Sequence, residues 1–342
     1  MKTNLFWKKL REYFTVYLPK QRNSSEKTIT SCHMAWNLLL RFLFQEKGIA
    51  AAKIDFGTFT SALMTDFLDA METRKGWKAS TRNNRLSCIR SFFKYAAYTC
   101  PNVYTVYADL GTIPLKKEVN NSRVVEYMSK DAVASIIECA GTASSKGFRD
   151  QFFLTLMYDT AARNGEMLKL KLSDINTDNA TVYLFGKGSK PRLVPVSKET
   201  LQMFGRYSTL FHGESKKDSY LFYTKHQGKE TPMSDDNVAR FLKGYAAIAR
   251  EQNGHVPARV HPHMFRHSRA MHLYQGGMPL AILSEFLGHE DPETTLIYAY
   301  ADTEMKRQAI EKASVNTLIP EVGDDSPMWE SQDIIERLIR GY

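Results

Sequence analysis

The chain has 342 residues, 43% hydrophobic and 24% charged, with 46 Lys+Arg against 37 Asp+Glu for a formal charge of +9. That length fills two domains of ordinary size and can bury a core, and the composition excludes intrinsic disorder, a repeat array or a fibrous chain. No apolar run approaches the ~18 residues of a spanning helix, and 1–18 is interrupted by Lys8, Lys9, Arg11 and Glu12, which excludes a signal peptide.

In chain order, four helical stretches open the sequence: 4–18; 25–47, behind the cap candidates Asn23, Ser24 and Ser25; 56–74; and 80–99, opened by Ser80 and Thr81 and ended by Pro101. On the last of these Leu86, Ile89, Phe92, Phe93 and Ala96 recur at helical spacing, backed by Asn83, Ser87, Arg90, Ser91 and Lys94. Such a polar, basic face can lie along a phosphate backbone, and Arg82, Arg85, Arg90 and Lys94 are the candidates for it. Residues 1–120 hold 19 Lys+Arg and 9 Asp+Glu, whereas 121–342 hold 27 and 28, so the positive excess sits in the front third and points to a polyanion partner.

From 101 to 128 no clean period survives, and Pro114, Lys116, Lys117, Asn120 and Asn121 mark a linker, with the domain boundary near 119–128. Helical patterns resume at 129–139 and 148–160. A short β-meander follows at 181–185 and 192–196 around the turn Gly186-Lys187-Gly188-Ser189-Lys190, and further helices fall at 198–211, 235–251, 263–276, 279–287 and 291–299. Four widely spaced cysteines, Cys32, Cys88, Cys100 and Cys139, form no Cys-x-x-Cys, so neither a disulfide framework nor a zinc ribbon is expected and the thiols are expected reduced, in the cytoplasm.

Five pieces of the second half carry chemistry-bearing residues. Arg163 opens a turn three residues before Glu166, and alone that spacing reads as an ordinary ion pair. Lys187 stands at a hairpin tip between glycines. In His261-Pro262-His263-Met264-Phe265-Arg266-His267, a helix begun at Pro262 projects His263 and Arg266 from one face; a metal site of His261, His263 and His267 is the rival reading, without a carboxylate or cysteine at ligand spacing. Leu287-Gly288-His289 ends a helix, and Tyr298 follows nine residues later.

Taken as an ordered set, Arg163, Lys187 on its Gly-Lys-Gly turn, His263-x-x-Arg266, Leu-Gly-His289 and Tyr298 resemble the tyrosine recombinase (phage integrase) family over 128–300, and the basic helical front resembles that family's core-binding domain. The resemblance implies a mainly α fold with a small antiparallel β-sheet, arranged as a two-domain DNA clamp. Its parts are a helical, SAM-like core-binding domain over 1–118, a linker over 119–128 and a catalytic domain over 129–342 with a C-terminal tail helix. It also implies that Tyr298 attacks a DNA phosphodiester to form a 3′-phosphotyrosyl link and release a 5′-hydroxyl. Arg163 and Arg266 would clamp the non-bridging oxygens, Lys187 would protonate the leaving oxygen, His263 would assist proton transfer at the nucleophile, and His289 would donate to the phosphoryl group.

The chemistry is self-consistent. A phenol of pKa ~10 needs adjacent positive charge and a proton acceptor, and guanidinium forks match the equatorial oxygens of a phosphoryl group in flight. Neither a metal nor a nucleotide cofactor is expected, because the arginines take the metal's role and the phosphotyrosine retains the bond energy. Tyr300 competes with Tyr298 on chemistry alone; only the offset from His289 separates them. Lys190 and Arg192, beside the Lys187 turn, complete the expected DNA contacts. The expected partner is a double-stranded recombination site, bound by a homo-tetramer assembled on DNA. The apolar stripe of the acidic tail, Trp329, Ile334, Ile335, Leu338 and Ile339, either docks on a neighbouring protomer or folds back on its own domain. Because the basic helices begin near residue 1, a core-site enzyme of a mobile element or a chromosome-resolution system is expected. A type IB topoisomerase and a non-catalytic DNA-binding relative are the alternatives.

Overall fold

A computed structural model describes residues 4–117, 125–141, 144–186, 191–213, 218–289, 291–301 and 307. The chain divides into two compact units, Met1–Asn121 and Ser122–Tyr342. Among the described residues no helix is long and apolar enough to cross a membrane.

The first unit is helical. Asn4 caps α1 (Leu5–Glu12) by accepting from the Phe6 N–H at 2.9 Å, and the helix continues as a π-helical stretch, Tyr13–Gln21, over Pro19. Ser25 and Thr60 cap α2 (Glu26–Gln45) and α3 (Ser61–Lys75) with their hydroxyls, leaving fewer orphan N–H groups at each start. The fourth helix, α4 (Ala79–Thr99), stops before Pro101. Its stripe of Leu86, Ile89, Phe92, Phe93 and Ala96 is fully buried, and Phe92 and Phe93 meet Trp36 and Phe6 or Phe59 in an aromatic core.

The stretch after Pro101 is not wholly linker: it folds into α5 (Tyr104–Gly111). Only Leu110 of this helix is buried, which is too little apolar signal to show a period. Tertiary polar contacts secure it instead. The Asp109 carboxylate accepts from the Ser61 N–H at 2.6 Å and from the Ser61 hydroxyl at 2.8 Å, at the start of α3. Arg90 reaches from α4 to the carbonyls of Leu110, Gly111 and Ile113, closing the orphaned end of α5.

That contact bears on the expected phosphate-facing row. Arg90 is engaged internally, and Arg82 is buried, donating to the Pro114 carbonyl at 3.2 Å beside Glu72. Arg85 donates to the Ser31 carbonyl at 2.8 Å. The arginines bind carbonyls because helix ends and the 112–116 turn leave acceptors that a planar fork satisfies in groups. Of that row, Lys94 alone is exposed.

The second unit packs helices around a small sheet. Ser129 and Ser144 cap α6 (Lys130–Ala140) and α7 (Ser145–Thr160), and a single-turn α8 (Asn164–Met167) follows. Strands β1 (Ile175–Asn176), β2 (Thr181–Leu184) and β3 (Arg192–Pro195) form an antiparallel sheet in that order, with Val182 opposite Val194 and Leu184 opposite Arg192. Then come α9 (Lys198–Phe211), the hairpin β4 (Tyr223–His226) and β5 (Lys229–Pro232), α10 (Asp235–Gln252), α11 (Pro262–Gln275), α12 (Leu280–Leu287), a 3-10 turn Pro292–Thr295 and α13 (Leu296–Ala301). The β4–β5 hairpin is absent from the periodicity because β5 is exposed along its whole length and has no inward face; its Gln227-Gly228 turn, both at positive φ, is the signal that was there.

The main core gathers Phe152, Phe153, Tyr207 and Phe222 with residues of α6 and α10. A second, smaller core joins Ala161, Ala270, Met271, Leu283, Leu287 and Tyr298. This second core is where α7, α11, α12 and α13 meet, and it is the floor of the candidate site.

Candidate active site

The site is organised by chain ends, where backbone groups have lost their helical partners. At the end of α7, Ala161 adopts a left-handed φ of 48°, and its carbonyl accepts from Arg266 Nη1 at 2.8 Å. At the end of α12, Leu287 accepts from Arg266 Nη2 at 2.6 Å and Gly288 accepts from Arg163 Nη2 at 3.3 Å. Two guanidinium groups are thus drawn to the negative end of one helix, as the helix dipole and its orphan carbonyls favour. Arg266 is buried, while the Arg163 side chain keeps 32% of its surface open.

Glu166 holds the arrangement together from below. Its carboxylate accepts from the Arg163 backbone N–H at 2.9 Å and from Arg163 Nη1 at 3.0 Å, and receives the Arg192 fork at 3.1 and 2.9 Å. Arg192 Nε donates to the Phe286 carbonyl at 3.0 Å, so β3, α8 and the end of α12 are tied at one point. Burial alone would raise the Glu166 carboxyl, but the Arg192 hydrogen bonds and charge, with the Arg163 N–H, hold it down at about 2. Arg192, expected to face DNA, is instead buried, because a carboxylate shielded from water needs a bidentate cation beside it.

The turn Gly288-His289 carries the next group. Gly288 has φ +61°, and a Cβ there would stand 2.9 Å from Arg192 Nη1, so glycine is required both by conformation and by space. His289 Nδ1 lies 2.8 Å from the hydroxyl of buried Thr295. Burial, then the charges of Arg266, Arg163 and Arg192, push this imidazole down to about 4, so it is neutral at pH 7.

Tyr298, on α13, is fully buried, and its hydroxyl lies 3.0 Å from His267 Nδ1 on α11. Burial raises the phenol's pKa, and the charges of Arg266 and Arg163 act to lower it, so both guanidinium groups are within electrostatic reach of the hydroxyl. Tyr300, the competitor, is 52% exposed. Burial and the like charges of Arg163 and Arg192 bring Arg266 down to about 9, still a cation at neutral pH.

Arg163, Arg266, His289 and Tyr298 are therefore brought together around the end of α12. His263 is exposed on the first turn of α11, one turn before His267. Lys187 and Lys190 lie outside the described residues, as does the tail stripe from Trp329 to Ile339. The imidazole in contact with the phenol is His267, which flanks His263 in sequence without any signal to rank it; the i,i+4 spacing that puts both rings on one helix face was the only clue. Thr295 was missed because a threonine in a short 3-10 turn carries no motif. Among the described residues no group of three His, Cys, Asp or Glu side chains could hold a metal ion.

Comparison with known proteins finds the model of the phage integrase family matching residues 126–305, and that of the phage integrase N-terminal SAM-like domain matching 12–98. A Sinorhizobium fredii protein bearing the name integrase/recombinase y4rC is 29% identical over 307 residues, covering 89% of this chain and 90% of that one. Tyrosine recombinase XerA of Pyrococcus horikoshii is 29% identical over 245 residues, covering 71% of this chain and 76% of its own. Among solved structures, the Tn1549 transposon integrase in complex with transposon right end DNA superposes with a TM-score of 0.65 at 16% identity, covering 89% of this chain and 99% of that one, a likeness of fold.

Proposed function

The chain belongs to the phage integrase family, whose model spans more than half of it, and from that premise we propose how its own residues cut and rejoin a recombination site in double-stranded DNA. It is a DNA breaking-rejoining enzyme of the tyrosine recombinase type. In the reaction the Tyr298 hydroxyl attacks the scissile phosphorus and the 5′-oxygen leaves, giving a 3′-phosphotyrosyl link that the 5′-hydroxyl of another strand later reverses.

Arg163 and Arg266 take the two non-bridging oxygens. Their value is that they are already fixed: Arg266 by two carbonyls and Arg163 by Glu166 and Gly288, so no reorganisation is needed when charge builds in the transition state. His289 is neutral, and in the tautomer that carries its ring proton on Nε2 it accepts from the Thr295 hydroxyl at Nδ1 and donates to the phosphoryl group. Lys187 supplies the proton to the leaving oxygen. His263, exposed at the start of α11, assists proton transfer at the nucleophile. The domains of the reading remain 1–118 for core binding, 119–128 as linker and 129–342 for catalysis. Its partner is a recombination site held by four copies in the cytoplasm.

The observation that carries this reading is that Arg266 is fixed on the carbonyls of Ala161 and Leu287 and Arg163 on that of Gly288, at the edge of the one small core that Ala161, Leu287 and Tyr298 share. The test is a nicked suicide duplex that traps the covalent adduct. Tyr298→Phe abolishes the denaturant-resistant adduct and keeps salt-sensitive DNA binding, whereas Tyr300→Phe keeps both. Loss of the adduct in Tyr300→Phe alone would move the nucleophile to that position.

A further inference from the structure

We propose that the ion pair of Asp159 and Arg269 positions the two guanidinium groups of the reaction, fixing the turn that carries Arg163 against the helix that carries Arg266. The proposal rests on the functional reading above and adds to it what sets the spacing of the two arginines.

Arg163 lies just past the end of α7 and Arg266 lies on α11, so their spacing depends on how the end of α7 meets α11. Residues 266, 269 and 272, three apart on one side of α11, each reach that end. Arg266 Nη1 donates to the Ala161 carbonyl at 2.8 Å. Arg269 donates twice to Asp159, from Nη2 to the carboxylate at 3.0 Å and from Nε to the carbonyl at 3.3 Å, and its guanidinium stands 5.1 Å over the Tyr158 ring. His272 Nδ1 lies 2.8 Å from the Tyr158 hydroxyl.

The middle contact is the ionic one, and it grips the side chain and the main chain of one residue at once, which resists both sliding and rotation of α11. It also bears no chemistry. Arg266 must hold Ala161 and meet the phosphate together, whereas Arg269, one turn on, holds the same junction without touching the substrate. The second Asp159 oxygen accepts from the Ser197 N–H at 2.7 Å and the Thr200 hydroxyl at 2.9 Å, at the start of α9. Asp159 is therefore anchored independently of α11, and replacing Arg269 loosens the junction without uncapping α9.

The experiment measures DNA affinity and single-turnover adduct formation on two suicide duplexes. One carries the natural scissile phosphodiester; the other carries a methylphosphonate there, in which a methyl group replaces one charged non-bridging oxygen and leaves less charge for the arginines to neutralise. Arg266→Ala is the reference, with a large loss on the phosphodiester and a small one on the methylphosphonate. In the full-length protein, Arg269→Leu is expected to bind both duplexes as the wild type does. It is expected to cleave the phosphodiester on the order of tenfold more slowly, the cost of a guanidinium held out of place, and the methylphosphonate within about twofold of the wild-type rate. Arg269→Gln, which keeps a donor without the charge, is expected to follow it and carries the test if the leucine variant does not fold. Wild-type cleavage of the phosphodiester in either variant overturns the proposal. So does equal slowing on both duplexes, which would make the pair a support of the fold and not of the charge-bearing groups. Equal loss on both duplexes in Arg266→Ala is a separate outcome, and it refutes the functional reading itself.

Discussion

Glu166 shows how much of the site hangs on a residue that never meets the substrate. Its carboxyl is held at about 2 against an ordinary 4.5, a difference worth about 3 kcal/mol of folding stability at neutral pH. The sign follows from the depressed value: the contribution is present above about pH 4.5 and is lost as the pH falls toward 2. The neutral imidazoles of His267 and His289, pushed from 6.5 to about 4, act earlier, because the unfolded chain binds protons that the folded chain refuses between those values. Acid destabilisation is therefore expected to begin just below pH 6.5, as a falling melting temperature, and to be shallower over pH 6.5 to 4 in His289→Asn. Glu166→Gln, which leaves the buried Arg192 guanidinium without its counter-charge, is expected to lose roughly 3 kcal/mol in denaturant melts at pH 7. An unchanged midpoint would mean that Arg192 finds another partner.

Among the elements, α12 does most with least: eight residues whose last two carbonyls hold Arg192 and Arg266, and whose cap, Gly288, holds Arg163 and turns the chain toward His289. Gly288→Ala is expected to destabilise the fold by the ~1 kcal/mol of a left-handed alanine, and by more because the new methyl meets Arg192, which cannot swing away without breaking its bonds to Glu166; a lower melting temperature reads it out. Cleavage should fall with it. In the first unit, Arg90→Ala is expected to destabilise the fold by about 2 kcal/mol, since Arg90 satisfies three carbonyls at the end of α5, while Lys94→Ala leaves stability alone. The long helices were legible in the sequence because burial of one face imposes a period, as the α4 stripe illustrates. The invisible elements are α5, with one buried residue and held by contacts distant in sequence, and the β4–β5 hairpin, whose second strand has no buried residue. The same division runs through the site: Arg163, His263, Arg266, His289 and Tyr298 could be picked out by their order and spacing, but the His267 contact, the Thr295 support and the inward turn of Arg192 depend on which ring or fork lies nearest in space, which spacing does not encode.

For the whole molecule, the question is which positive charges are available to DNA. The excess lies in 1–120, yet Arg82 is buried, Arg85 and Arg90 bind carbonyls, and in the second unit Arg192 is enclosed. Phosphate neutralisation must then come mainly from exposed side chains such as Lys94, and each phosphate neutralised releases counterions and steepens the salt dependence by about 0.9. With roughly six such contacts, duplex affinity should fall on the order of a thousandfold between 50 and 200 mM KCl. Tyr298→Phe should show the wild-type slope, because its phenol carries no charge to exchange. Lys94→Ala should reduce the slope by about one, with no change in melting temperature. Arg82→Ala should behave oppositely, lowering the melting temperature by removing the bond to Pro114 while leaving the slope intact. A slope reduced by one in Arg82→Ala, at unchanged stability, would show that this guanidinium leaves its internal partners for a phosphate on binding, and the division between structural and DNA-facing arginines would have to be redrawn.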